Sequence, residues 1–171
     1  MSLQRDSAGV RSRGPGIFRL AFLLLIGCQT RSAPPEANAA LADTLKARIE
    51  QAYDFTRPGA LERMTALYPD SGRVLSASGG QLITTGDSLR TGIAAFWENV
   101  GKNMRDPKWI WGEVYVDRLG ADAAVLTATW SIPHIAPTGS PHTIRGAWTA
   151  VFRRIRGQWL IVAEHLSSPP S

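Results

Sequence analysis

From Asn38 onward apolar residues recur every fourth position, at Leu41, Leu45, Ile49 and Tyr53, until Thr56 to Gly59 with its Pro58 breaks the period. That spacing predicts an amphipathic helix. A shorter helical piece follows on Leu61, Met64, Leu67 and Tyr68, closed by Pro69. Arg73 to Ser78 and Gln81 to Thr85 flank Gly79-Gly80 and predict a small hairpin. Asp87 or Ser88 is placed to cap a third helix, whose stripe of Leu89, Ile93, Phe96, Trp97, Val100 and Met104 runs up to Pro107. Beyond Pro107 the period falls to two. Four strands are predicted at 109–119, 123–134, 142–155 and 158–167, separated by Gly120-Ala121-Asp122, by Ile135 to Pro141 and by Gly157. Three helices followed by four hairpin-linked strands imply an α+β domain, a strongly bent antiparallel sheet with the helices packed on one face.

Strict alternation assigns faces to the strands that carry chemistry. In the last strand Trp159, Ile161, Ala163, His165 and Ser167 share one side, with Leu160, Val162, Glu164 and Leu166 on the other. In the first long strand Trp109, Trp111, Glu113, Tyr115 and Asp117 oppose Ile110, Gly112, Val114, Val116 and Arg118. The expectation is that Trp159 and His165, and Trp111, Glu113 and Tyr115, point toward the helices. The opposite choice for the first long strand is open, because a slip of one residue inverts every side chain.

Composition changes this picture little. With 171 residues, 44% hydrophobic content and six tryptophans, one domain can bury a full core. The formal charge of +5 comes largely from Arg5, Arg11, Arg13 and Arg19 set against Asp6. Without residues 1–27 the 19 basic and 14 acidic side chains fall to 15 and 13, a net +2. Such a balance carries no basic stripe for nucleic acid, and Arg153, Arg154 and Arg156 make only a short cluster.

The leader has secretory layout: arginines, the apolar run Leu20 to Ile26, then Gly27. That run is shorter than the ~20 apolar residues a membrane span needs. Cys28 is the only cysteine, so it has no disulfide partner within the chain. The stretch Leu25-Ile26-Gly27-Cys28 resembles the lipobox of bacterial lipoproteins. The resemblance implies cleavage before Cys28 and an acyl anchor there, held by about 0.8 kcal/mol per buried methylene. Gln29 in the next position implies the outer membrane, hence a lipid-anchored protein at its periplasmic face. The expected boundaries are a signal peptide at 1–27, a spacer at 28–38, a domain at 39–168 and a tail at 169–171.

The order of elements, with the closing run Gly157-Gln158-Trp159-Leu160-Ile161-Val162-Ala163-Glu164-His165-Leu166-Ser167-Ser168, resembles the nuclear-transport-factor-2-like superfamily, nearest its SnoaL-like and ketosteroid-isomerase-like groups. This resemblance implies a cone-like α+β barrel in which three N-terminal helices close over the concave sheet face and leave a cavity. The fold hosts enzymes, binding modules and assembly domains alike, so function must come from the site. The aspartate, tyrosine and second acid of the ketosteroid isomerases do not map onto this chain: Asp54 and Asp70 lack companions at recognisable positions.

Candidate catalytic residues are His165, Glu113 and Tyr115, and candidate ligand-binding residues add Tyr53, Trp111, Trp130 and Trp148. A carboxylate and a phenol beside aromatic walls could take a proton next to a carbonyl and stabilise the enolate. His134, His142 and His165 have no metal-ligand spacing, and no HExxH, GxSxG, P-loop or GxGxxG occurs, so neither metal nor cofactor is expected. Three functions remain: an anchored binder of a small apolar or carbonyl-bearing ligand, an isomerase, dehydratase or hydrolase, and a homodimerising module without a ligand.

Overall fold

The four-residue period becomes α1, Pro35–Ala52, which buries Leu41, Leu45 and Ile49 almost completely. The computed structural model describes residues 35–169, so Cys28, the leader and most of the expected spacer lie outside the described residues. The helix starts at Pro35, inside the stretch expected to be spacer. A proline suits the first helical position, where its missing N–H needs no partner.

α2, Ala60–Thr65, is tied to α1 by Arg48, whose Nη2 donates to the Ala66 carbonyl at 2.7 Å, and by Arg63. Arg63 donates from Nε to the carbonyl of Gln51 at 2.8 Å, and from its two Nη groups to the carbonyls of Asp54, Arg57 and Pro58. One guanidinium thus satisfies the last turn of α1 and the loop behind it, where carbonyls would otherwise be unpaired. β1, Leu75–Ser78, and β2, Gln81–Ile83, form the expected hairpin, with Gly79 and Gly80 both at positive φ. α3, Gly86–Asn99, is capped by Thr85 and not by Asp87 or Ser88: the Thr85 hydroxyl accepts from the Ser88 amide at 3.2 Å. α3 stops before the expected Met104, and a single 3-10 turn at Gly101–Asn103 delivers a buried Met104.

The long strands are β3, Ile110–Arg118, β4, Ala123–Ile135, β5, Pro141–Ile155, and β6, Gln158–Ser167. Together they form one curled, unclosed sheet in the order β2-β1-β6-β5-β4-β3. Its pairings are antiparallel, as expected of the long strands and the hairpin, and β1 alone runs parallel to β6. The core lies between α1 and the inner face, where Leu126, Ala128, Trp148, Ala150, Phe152 and Ile161 are all buried.

Two bulges break the alternation. In β6, Ala163 pairs with Val151 but Ile161 pairs with Phe152, so Val162 is an extra residue. In β3, Trp111 pairs with Trp130 but Val114 pairs with Ala128, again one residue too many. Each extra residue reverses the facing of everything beyond it. Gly112 sits in the β3 bulge, where a Cβ would lie 2.3 Å from Thr129 Oγ1, and the same hydroxyl accepts from the Glu113 amide. Replacing Arg63 with alanine should lower the unfolding free energy by about 1.5–3 kcal/mol, the range for hydrogen bonds to a charged group. Urea unfolding followed by tryptophan fluorescence measures it, and an unchanged midpoint would dismiss the clamp.

Candidate functional site

Beyond Val162, β6 turns Glu164 and Leu166 inward and His165 outward. Glu164 is 8% exposed and sits beside Ser76 of β1 and Ala150 of β5. Three neutral donors meet its carboxyl group. Ser76 Oγ donates to Oε1 at 2.8 Å, Trp148 Nε1 donates to Oε2 at 3.0 Å, and the Tyr68 hydroxyl lies 3.0 Å from both oxygens. Tyr68 arrives from the loop after α2, whose preceding residue, Leu67, accepts the Ile161 amide at 2.8 Å next to the bulge. The loop that holds the bulge therefore also delivers a donor to the acid the bulge exposes.

This carboxyl group borders a cavity of about 300 Å³ between the helices and the sheet. The helical side and its loops supply Tyr53, Tyr68, Ile93 and Phe96, and the sheet side supplies Trp109, Trp130, Ile132 and Trp148. The rings brace one another: Trp109 stacks on Trp130 at 5.1 Å and 13°, and Tyr53 leans on Trp109 at 4.8 Å and edge-on against Trp148 at 6.3 Å. Burial raises the Glu164 pKa above the usual carboxylate value, against the hydrogen bonds from Ser76, Tyr68 and Trp148, which lower it. Tyr53 and Tyr68 are raised first by burial and then by the charge of Glu164.

Of the residues named from sequence, the fold brings Tyr53, Trp130 and Trp148 together around this cavity. Trp111 faces the helices but sits behind Trp109, with its Nε1 donating to Glu50 Oε1 of α1 at 2.6 Å. His165, Glu113 and Tyr115 are corrected: all three are exposed on the outer sheet face, Tyr115 at 62%, because each follows a bulge. His165 lies opposite Thr149, in the same cross-strand row as Thr127 and Tyr115. His134 is buried with Nδ1 3.0 Å from the Ile132 carbonyl, and its ring centroid is 5.2 Å from that of His142. Among the described residues no three metal-capable side chains cluster, and no helix is long and apolar enough to cross a membrane.

Glu164 was the residue sequence reasoning missed. Its signal was its company: in strict alternation it shares a face with Leu160, Val162 and Leu166, and an acid set among aliphatic residues belongs to a buried face.

The sequence profile of the SnoaL-like domain matches residues 45–171. The chain belongs to this family, and its fold is that of NTF2-like proteins. Solved structures agree on the fold. A candidate dehydratase of the NTF2-like family from Streptomyces avermitilis superposes with a TM-score of 0.63 at 18% identity, over 81% of this chain and 100% of its own. The association domain of C. elegans CaMKII gives 0.62 at 18%, over 78% and 99%. A candidate aromatic ring hydroxylase from Novosphingobium aromaticivorans gives 0.62 at 15%, over 81% and 94%. No curated protein matches the chain by sequence.

A buried acid whose pKa is raised makes stability depend on pH with a definite sign. The folded state keeps the Glu164 proton at a pH where the unfolded chain has released it. The stabilisation is therefore complete below the unfolded value of about 4.3 and is lost as pH rises through the raised folded value. Glu164→Gln should flatten the thermal midpoint across that window, and Trp148→Phe, which removes a donor that lowers the pKa, should move the wild-type decline to higher pH. Equal slopes for wild type and Glu164→Gln in differential scanning calorimetry would contradict the assignment.

Proposed function

We propose that this chain is a lipid-anchored envelope protein, acylated at Cys28, whose SnoaL-like domain binds a small, largely apolar molecule in the cavity that ends at Glu164. The observation carrying this reading is a buried carboxyl group with three fixed donors, set in an aromatic chamber that still holds about 300 Å³ of space. A chamber of that size, apolar with a few convergent polar groups, is the usual form of a small-molecule site. A domain needing only a core would fill it, and Trp130 and Trp148 stand in its wall without plugging it. A wider depression of about 550 Å³ along the Trp111, Arg145 and Ser168 end of the sheet is open and has no buried acid.

A second reading is favoured by the same acid. A carboxyl group of raised pKa bordering an apolar cavity is what an isomerase or dehydratase uses to move a proton beside a carbonyl. Tyr68, Ser76 and Trp148 already take three of its roughly four acceptor positions, which leaves it less free to act as a base and keeps binding as the first reading. Homodimerisation through the outer face, where Tyr115 and His165 stand exposed, is compatible with either.

Two measurements test the proposal. In a thermal-shift screen of small hydrophobic metabolites, a ligand at 100 times its Kd should stabilise the protein by about 2.7 kcal/mol. Gly92→Phe, at a cavity position on α3 where a Cβ meets only Ile83 Cδ1 at 3.7 Å, should abolish that shift while the protein stays folded. A shift that survives Gly92→Phe would place the ligand elsewhere. Cys28→Ser should move the protein from the membrane fraction to the soluble fraction of the envelope, and retention in the membrane would sink the anchor.

A further inference from the structure

We propose that the ligand is a small quaternary ammonium cation, held with its charge beside Glu164 and its methyl groups against the aromatic walls. This deepens the binding reading above and rests on the cavity being a ligand site. Three features of the chamber point to this class.

The first is charge. The described residues form ion pairs only at Arg90–Asp87 and Lys102–Glu98, both near the surface, and no Lys, Arg or His pairs with Glu164. The titratable groups facing it are Tyr53 from the end of α1 and Tyr68 from the loop after α2, both phenols. Ser76 from β1 and Trp148 from β5 are neutral donors. Trp148 can only donate, and the three donors support the ionised carboxylate against the burial that disfavours it. The counter-charge is left for something from outside to bring, and an anionic ligand would be repelled.

The second is the walls. Tyr53, Tyr68, Phe96, Trp109, Trp130 and Trp148 all border the chamber. Aromatic faces attract cations through their quadrupoles, most strongly where water is excluded. Aliphatic residues would serve a purely apolar ligand equally well.

The third separates one cation from another. Oε1 already accepts from Ser76 and Oε2 from Trp148, and the single Tyr68 proton, 3.0 Å from both oxygens, takes a further position. A primary ammonium carries three N–H donors that would need acceptors, and burying them unpaired is costly. A quaternary ammonium has charge and no donors. It asks of the carboxylate only its field.

Isothermal titration calorimetry of the purified full chain with choline and with 3,3-dimethylbutan-1-ol, its neutral carbon counterpart, tests this. Choline should bind about tenfold or more tightly than the alcohol, in keeping with a desolvated cation–π and charge contribution. Its affinity should rise with pH through the Glu164 titration while that of the alcohol stays flat, and Glu164→Gln should erase most of the difference. Equal or tighter binding of the alcohol overturns the cation and leaves the binding site. Silence from both probes, with neutral apolar compounds still giving thermal shifts that Gly92→Phe removes, does the same. Silence from every compound overturns the cavity reading as well. Should Glu164→Gln fail to fold, the two probes compared on wild type decide alone.

Discussion

One extra residue in β6 governs where the chemistry of this domain lies. Val162 has no partner in the β5 ladder, and from there on the strand shows its opposite side to the helices. Trp159 and Ile161 face the core before the bulge, and Glu164 and Leu166 do so after it. The hydrogen bond from the Ile161 amide to the Leu67 carbonyl ties this irregularity to the loop after α2. A buried amide left without an acceptor would be costly, so loop and bulge stabilise each other. Tyr68, the next residue, then reaches the carboxyl group. Bulge, loop and acid form one unit.

Burying an acid without a cation opposes folding, and the protein offsets the cost with geometry. Ser76, Tyr68 and Trp148 come from β1, a loop and β5, so the carboxyl group joins three separate elements. Each donor is held by its own packing: Ser76 is buried in the β1 ladder, Tyr68 is buried in the hydrophobic core, and Trp148 packs against Tyr53 and Trp109. A folded core alone does not require a carboxyl group here, since burying a polar group costs free energy that apolar packing avoids. A buried acid held in this way fits a site that works on something beyond folding.

The second bulge, in β3, completes the chamber by the same device. It lets Trp109 and Trp111 face the helices at one end of the strand while Val114 and Val116 fill the core at the other, and it expels Glu113 and Tyr115. Gly112 makes it possible, because any Cβ there would collide with Thr129. SnoaL-like membership and the likeness to solved structures fit a shared frame, so function has to be argued from the residues of this cavity.

The periods of hydrophobic residues determined the helices, the strands and their order without outside help, because burial of Leu41, Leu45 and Ile49, or of alternate residues along β4 and β5, is written into local spacing. The aromatic wall was legible too, since Tyr53, Trp130 and Trp148 fall on regular stretches. Which side of β3 and β6 faces the cavity was decided only by tertiary structure. A bulge arises where a strand must meet both its neighbour and a loop from a distant part of the chain, and no local pattern encodes the Leu67 carbonyl waiting beside Ile161. His165 and Glu164 are adjacent in the sequence, and that one unpaired residue exchanged their places.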